Sequence, residues 1–208
     1  IATWLGGLFP IIGGPIIGIV LGIIINNTLG KPQSTVKGIG FTSKKILQWA
    51  IIVLGAGLNL NQVWKTGLDS LSVMLFTISA AFISAYFFGK LMGIPTKLKS
   101  LIGVGTAICG GSAIASVAPI IEADESEVAY SISTIFLFNI IAVLIFPPLG
   151  HLLHFSNNAF GLWAGTAVND TSSVVAAGYA FSNAAGAYAT IVKLTRTTMI
   201  IPISIIFA

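Results

Sequence analysis

The polar residues best suited to chemistry form one run, 169–173, which reads Asn-Asp-Thr-Ser-Ser and lies between apolar stretches. Asp170 is the only carboxylate well inside an apolar region, so we expect it to carry a proton or a sodium ion. The hydroxyls of Thr171, Ser172 and Ser173 can donate hydrogen bonds to an anion. A single hydroxyl could equally bond to a carbonyl one turn back in its own helix, but that explanation fits five consecutive polar residues poorly. We therefore predict that Asn169 and these hydroxyls bind substrate and that Asp170 couples an ion.

The only basic residues in an apolar region are Lys193 and Arg196, which lie three positions apart and therefore share one face of a helix. A basic residue at the centre of an inserting helix costs roughly 2.5–3.5 kcal/mol, and such burial is normally functional. We predict that both residues attract an anionic substrate. The alternatives are that they pair with Asp170 or with the acidic linker 122–127, or that their long side chains reach the cytoplasmic surface.

The composition is that of an integral membrane protein. Of the 208 residues, 55% are hydrophobic and 8% are charged, and the mean hydropathy is +0.97, whereas soluble domains carry about 25% charged residues. Several apolar stretches approach or exceed the roughly 20 residues that cross a bilayer as a helix. The net charge of +4 comes from lysines between the apolar stretches, and because no basic face is present we expect no nucleic-acid partner.

We predict an all-α polytopic protein in the cytoplasmic membrane, with one transmembrane domain over residues 1–208. The apolar segments are 9–25, 46–64, 71–92, 100–121, 128–153, 160–180 and 184–208. Lysines follow the first segment and the third, so the positive-inside rule places both of these linkers in the cytoplasm. They are Lys31, Lys37, Lys44 and Lys45, and then Lys90, Lys97 and Lys99.

Two segments, 100–121 and 160–180, align with each other at an offset of sixty residues. Each copy is followed by a longer apolar helix that opens with Ala-Tyr, at Ala129 and at Ala187. We therefore predict an internal repeat with elements at about 99–153 and 159–208. The aligned pairs are Gly105 with Gly165, Thr106 with Thr166, Ala107 with Ala167, Ile108 with Val168, Ser112 with Ser172, and Ile114 with Val174.

Each copy carries a polar cluster at its middle, Cys-Gly-Gly-Ser at 109–112 and Asn-Asp-Thr-Ser at 169–172. A pair of glycines within a helix costs about 2 kcal/mol of helix propensity and frees backbone groups that lipid cannot satisfy. Paired interruptions in the two halves of a repeat indicate the binding site of a secondary transporter. The first cluster therefore predicts further substrate-binding residues, which are Thr106, Cys109, Gly110, Gly111 and Ser112.

The broken segments could either cross the membrane or turn back at its middle. Half a segment of about ten residues reaches about 15 Å, which is half the hydrocarbon thickness and allows both arrangements. Turning back inverts the two copies, which lets the breaks meet from opposite sides and suits alternating access. We therefore expect about five full transmembrane helices and two re-entrant hairpins that meet tip to tip.

Other polar residues point to structure rather than chemistry. His151 and His154 have helical spacing but no third ligand nearby, so we predict no metal and no cofactor. Asn139 is expected to make one interhelical hydrogen bond, and Asn59 to mark a helix end. No nucleophile elbow or Walker loop is present in the sequence, so we expect no enzyme activity.

Three motifs carry a resemblance to a known family: "GVGTAICGGSAIASVAPIIEADESEVAYS", "FGLWAGTAVNDTSSVVAAGYA" and "ATIVKLTR". They resemble the YeiH-like sulfate exporter family of bacterial membrane proteins, and the likeness runs along essentially the whole chain. The resemblance implies kinship with bile-acid/sodium symporters and cation/proton antiporters, a mobile core domain with crossed broken helices, and dimers. It also implies further helices after "KLTR", so that this chain is shorter than the family members. Many relatives carry histidine where Asn169 stands, so a proton role of that histidine does not transfer.

The function that these observations predict is secondary active export of a small anion, such as sulfate or a sulfonate, coupled to protons or sodium. The expected partners are the anion, the coupling ion, the lipid bilayer and a second copy of the chain. An anion channel or passive pore is the alternative. An intramembrane enzyme that uses Ser172 and Asp170 would lack a base, because both histidines lie in another segment.

Overall fold

The computed structural model describes residues 13–30, 32–57 and 59–208, together with Trp4, and these form an all-helical structure. Residues 9–12 of the first predicted segment and Lys31 of the first linker lie outside this part. A π-helical turn (Thr42–Ile46) joins the helix Gln33–Phe41 to the helix Leu47–Ala56. The helices are α1 (Gly13–Leu29), α2 (Gln33–Phe41), α3 (Leu47–Ala56), α4 (Leu60–Leu91), α5 (Thr96–Ala107), α6 (Gly111–Val117), α7 (Glu125–Leu152), α8 (Asn157–Ala167), α9 (Thr171–Phe181), α10 (Asn183–Thr197) and α11 (Ile200–Phe207).

Three helical stretches among the described residues are long and apolar enough to cross a membrane: Val63–Leu91, Glu125–Leu152 and Asn183–Phe207. The last of these combines α10 and α11. Ile16–Thr28 is a shorter apolar helix. The prediction of an all-α polytopic membrane protein is therefore confirmed.

The predicted boundary between the second and third segments is wrong. The helix break falls before Leu60, and α4 then runs without interruption through 65–70, where a linker was expected. Asn59 begins α4 as its N-cap, with a side-chain oxygen that accepts a hydrogen bond from the Asn61 amide at 2.9 Å. Lys65 and Asp69, whose charges suggested the linker, are exposed and lie within the first three turns of α4. Near a helix end such side chains reach water, so the helix can continue past them.

Helices α5 and α6 form a re-entrant hairpin, hairpin 1. The Lys97 ammonium donates a hydrogen bond to the Glu122 carbonyl at 2.6 Å, so the two ends of the segment lie on the same side. A Cβ added at Gly105 would lie 2.8 Å from Cδ1 of Ile114, whereas residues nine apart in a continuous helix are separated by about 13 Å. The chain therefore turns back between these two residues.

Helices α8 and α9 form hairpin 2 in the same way, with the Ser182 hydroxyl donating to Oδ1 of Asn157 at 2.7 Å. A Cβ at Gly161 would touch Tyr188, and one at Gly165 would touch Val192, so α8 and α10 run in the same direction. Ser182 alone connects α9 to α10, and these two helices are antiparallel.

The two hairpins are inverted relative to each other, because the single 28-residue helix α7 separates them. The repeat also holds in detail: α5 ends at Ala107 and α8 at Ala167, while α6 begins at Gly111 and α9 at Thr171, an offset of sixty in both cases. The expectation of inverted, re-entrant copies is therefore confirmed, and the crossing arrangement is wrong.

Apolar packing on either side fixes the two hairpins. Hairpin 1 is held by a buried cluster that includes Met74, Leu101, Ile114 and Ile135. Hairpin 2 packs around Phe160, whose ring stacks on Phe181 with the centroids 4.0 Å apart. These contacts hold each hairpin against the long helices beside it.

Candidate functional site

The two hairpin turns meet. We call residues 108–110 tip 1 and residues 168–170 tip 2. A Cβ added at Gly110 would lie 3.7 Å from the carbonyl carbon and oxygen of Asn169, and Gly110 has a φ of +73°, which favours glycine. The 12 residues of α5 and the 11 residues of α8 span about 18 Å and 17 Å at 1.5 Å per residue, so the tips lie close to the middle of a bilayer.

Lys193 joins the two tips. Its ammonium donates hydrogen bonds to the Ile108 carbonyl at 2.7 Å and to the Val168 carbonyl at 3.0 Å, and the side chain is 0% exposed. These carbonyls follow the last turns of α5 and α8, where no helical N–H is available to them. One buried cation therefore satisfies one acceptor from each hairpin.

Arg196 contacts the same two helix ends from one turn further along α10. Its guanidinium donates to the Ala107 carbonyl at 2.6 Å, to the Thr106 carbonyl at 3.0 Å and to the Thr166 carbonyl, and the side chain is 1% exposed. The C-terminal ends of helices carry partial negative charge, which favours cations there. The partners of Lys193 and Arg196 are thus backbone carbonyls and not Asp170 or the acidic linker, which were the alternative to a substrate anion. Direct contact of either residue with a substrate stays a prediction.

Asn139 of α7 holds tip 2 from the opposite side. Its Oδ1 accepts hydrogen bonds from the Asn169 amide at 2.9 Å and from the Asp170 amide at 3.2 Å. One interhelical bond was expected of Asn139, whereas the residue makes two bonds, both to amides in the break between α8 and α9. Among the described residues, Nδ2 of Asn139 and Oδ1 of Asn169 are buried without a hydrogen-bond partner. The role of Asn139 in positioning tip 2 was missed because a lone asparagine in an apolar helix gives no sign of its partner.

Asp170 begins α9 as its N-cap. Its carboxylate accepts hydrogen bonds from the Ser172 amide at 2.9 Å and from the Ser172 hydroxyl. Asp170, Thr171, Ser172 and Ser173 are all half-buried. The amides of Thr171 and Ser173 have no hydrogen-bond partner in the described part of the chain, so they remain available at the positive end of α9.

The residues predicted around tip 1 separate into two groups. Cys109 and Gly110 are buried at the crossing, and the Thr106 carbonyl faces Arg196. Gly111 begins α6 and is half-buried, while Ser112 is exposed. The structure therefore brings Cys109, Gly110 and Asn169 together and leaves Ser112 at the edge of the site. No group of three His, Cys, Asp or Glu side chains that could hold a metal occurs in the described ranges.

A family model described as conserved hypothetical protein 698 matches residues 1–208. The chain belongs to this family. Its members include UPF0324 membrane proteins that are similar to this chain along nearly its whole length. One from Fusobacterium nucleatum is 53% identical over 98% of this chain and 61% of its own length. Others come from Streptococcus pneumoniae serotype 4, at 53% identity over 99% and 62%, and from Clostridium tetani, at 48% over 100% and 61%.

The chain thus spans about three fifths of the length of the curated relatives it matches. No solved structure matches it. Family membership and the apolar helices together make it a multi-pass protein of the cell membrane. The YeiH-like resemblance is consistent with this family, whose description names no substrate.

Proposed function

We propose that the protein is a secondary active transporter that exports a small anion, such as sulfate or a sulfonate, coupled to protons or sodium. The observation that carries the proposal is the meeting of two inverted re-entrant hairpins at Gly110 and Asn169. Interrupted helices at equivalent places in two inverted repeats, meeting near mid-membrane, are the architecture in which secondary transporters hold their cargo.

The charge at the crossing supports an anionic cargo. Lys193 and Arg196 contribute two positive charges and Asp170 contributes one negative charge, a formal excess of one positive charge. The C-terminal ends of α5 and α8 and the N-terminal ends of α6 and α9 meet there, so their opposite partial charges largely cancel. Both cations are shielded from water, which strengthens their field at short range. The free amides of Thr171 and Ser173 supply donors for the anion.

Asp170 supports ion coupling. It is the single carboxylate at the tips and is half-buried, so it is within reach of an entering ion. A proton or sodium ion on this carboxylate changes the charge of the crossing by one unit. The occupancy of Asp170 and the affinity for the anion are therefore linked, as coupled transport requires.

The test is flux in proteoliposomes that contain the full-length protein, with radiolabelled sulfate and ethanesulfonate as probes. We expect accumulation against the anion gradient when a pH or sodium gradient is imposed. Asp170→Asn should abolish the gradient-driven accumulation. The matched control Glu125→Gln, an exposed carboxylate in the first turn of α7, should behave as the unmodified protein does.

Three outcomes would overturn the proposal. Flux that only follows the gradient and is unchanged in Asp170→Asn would indicate a channel or passive pore. The absence of flux for both probes under both gradients would exclude this cargo class. Conversion of the anion to a product in detergent solution, where no compartments exist, would indicate an enzyme.

A further inference from the structure

A second polar site lies away from the hairpin tips, at the open end of hairpin 2, which we call its mouth and which Asn157 and Ser182 mark. It is a cavity of about 300 Å³ lined by five residues from three helices: Lys65, Thr66 and Asp69 of α4, Asn158 of α8 and Tyr188 of α10. We call it the mouth cavity. Its volume falls at the lower end of the range of small-molecule sites, about 300–1,000 Å³.

The mouth cavity lies near the membrane surface. Asn158 is the second residue of α8, beside the Asn157–Ser182 hydrogen bond that marks the open end of hairpin 2. Trp64 precedes the cavity residues of α4 and is 73% exposed, as expected for an aromatic anchor in the headgroup region. A water-soluble ligand can therefore reach the cavity without crossing the hydrocarbon.

Lys65 and Asp69 present opposite charges to this cavity without pairing with each other. They are four positions apart on α4, a spacing at which an ion pair can form, although a basic residue before an acidic one is the weaker order. Within the described part of the chain neither side chain makes an ion pair or a hydrogen bond. One cation and one anion thus face the same small space with their charges unmatched.

The other three side chains supply neutral hydrogen-bonding groups. The hydroxyls of Thr66 and Tyr188 and the amide of Asn158 have no hydrogen-bond partner among the described residues either. Thr66 is only 5% exposed and Tyr188 is half-buried, whereas Lys65, Asp69 and Asn158 are exposed, so the cavity has a buried floor and an open rim. Together the five side chains offer a polar ligand two opposite charges and three neutral hydrogen-bonding groups.

We propose that the mouth cavity binds a small zwitterion, with its acidic group against Lys65 and its ammonium group against Asp69. A simple anion would leave Asp69 unmatched, and a simple cation would leave Lys65 unmatched. This site is separate from the tips, since Asn158 lies ten residues before Val168, or about 15 Å along α8. The inference does not depend on whether the protein transports an anion.

The experiment is equilibrium binding to the purified full-length protein in detergent. The probes are taurine and glycine, which are zwitterions with different acidic groups, and ethanesulfonate, which lacks the ammonium. We expect at least one zwitterion to bind at concentrations below about 10 mM. Lys65→Met and Asp69→Asn should each weaken that binding by about tenfold or more, since each removes one charge-assisted contact. Tyr188→Phe, a milder change that removes only a hydroxyl, should weaken it by a smaller factor.

The pattern across probes separates this site from the tips. Asp69→Asn should leave ethanesulfonate binding unchanged or tighter, and Asp170→Asn should leave zwitterion binding unchanged. Lys90→Met, an exposed lysine at the far end of α4, is the matched control and should have no effect. The inference is overturned if neither zwitterion binds, if Asp69→Asn does not weaken the binding, or if Asp170→Asn weakens it while Asp69→Asn does not.

Discussion

Replacing Lys193 with methionine removes a buried ammonium and leaves a side chain of similar length and shape. The change breaks the bonds to the Ile108 and Val168 carbonyls, at 2.7 and 3.0 Å. Hydrogen bonds from a charged donor contribute about 1.5–3 kcal/mol each, so the two together contribute about 3–6 kcal/mol. Removing the cation also removes its desolvation cost, which offsets part of that loss. We therefore expect the free energy of unfolding to fall by about 2–4 kcal/mol.

The assay is denaturant unfolding of the purified protein in mixed micelles, together with hydrogen exchange of the backbone amides. Lys90→Met is the same substitution at an exposed position and should change stability by no more than about 0.5 kcal/mol. Because Lys193 bonds to both hairpins, exchange should accelerate at tip 1 and at tip 2 together. The reasoning is refuted if Lys193→Met costs no more than Lys90→Met, or if exchange accelerates in only one hairpin.

Three further changes test the hairpins themselves. In a Cys109→Ala background, oxidation should cross-link the pair Asn157→Cys and Ser182→Cys, as seen by loss of maleimide labelling. The control pair Asn157→Cys and Thr171→Cys should stay reduced. A segment that crossed the membrane would hold residues 157 and 182 about 30 Å apart and give no cross-link. A membrane-impermeant thiol reagent should label Glu125→Cys from the cytoplasmic side and Asn157→Cys from the outside, and labelling of both from one side would contradict the inverted arrangement. Gly165→Ala should destabilise the protein by about 1–3 kcal/mol in the same unfolding assay, because the added Cβ would lie 2.8 Å from Val192. Gly22→Ala should be neutral or stabilising, because no atom lies within 4 Å of the added Cβ. Equal effects of the two substitutions would contradict the packing of α8 on α10.

The repeat was predictable from the sequence because its signal lies in residue identity. The glycines Gly105 and Gly165 and the breaks that follow them occur at the same offset in the sequence and in the structure. The choice between crossing and turning back was settled only by contacts between residues distant in the chain, namely Lys97 with Glu122 and Asn157 with Ser182. Segment length alone allowed both arrangements.

The partners of the buried cations were not predictable in the same way. Because the sequence shows only side-chain charges, it predicted a substrate anion beside Lys193 and Arg196, with carboxylates of the chain as the alternative. Their actual partners are backbone carbonyls, which become acceptors only because α5 and α8 stop at Ala107 and Ala167. The charges of Lys65 and Asp69 likewise led to a wrong prediction, because they suggested a linker at 65–70, whereas both residues lie within the first three turns of α4. In both cases the sequence alone does not show how far from the membrane surface a side chain lies or which helix end it contacts.

The two cations also break the symmetry of the repeat. When α7 and α10 are aligned on Ala129 and Ala187, Ile135 and Phe138 of α7 take the places of Lys193 and Arg196, and Ile135 makes apolar contacts with Gly105 and Gly110. Five hydrogen bonds from α10 reach both hairpins. Mechanically, α10 and both tips therefore form one body, and parting the tips requires breaking bonds in a region where water cannot replace them. A motion that keeps those bonds must carry both hairpins together past the remaining helices, as a rigid unit and not as two independent gates.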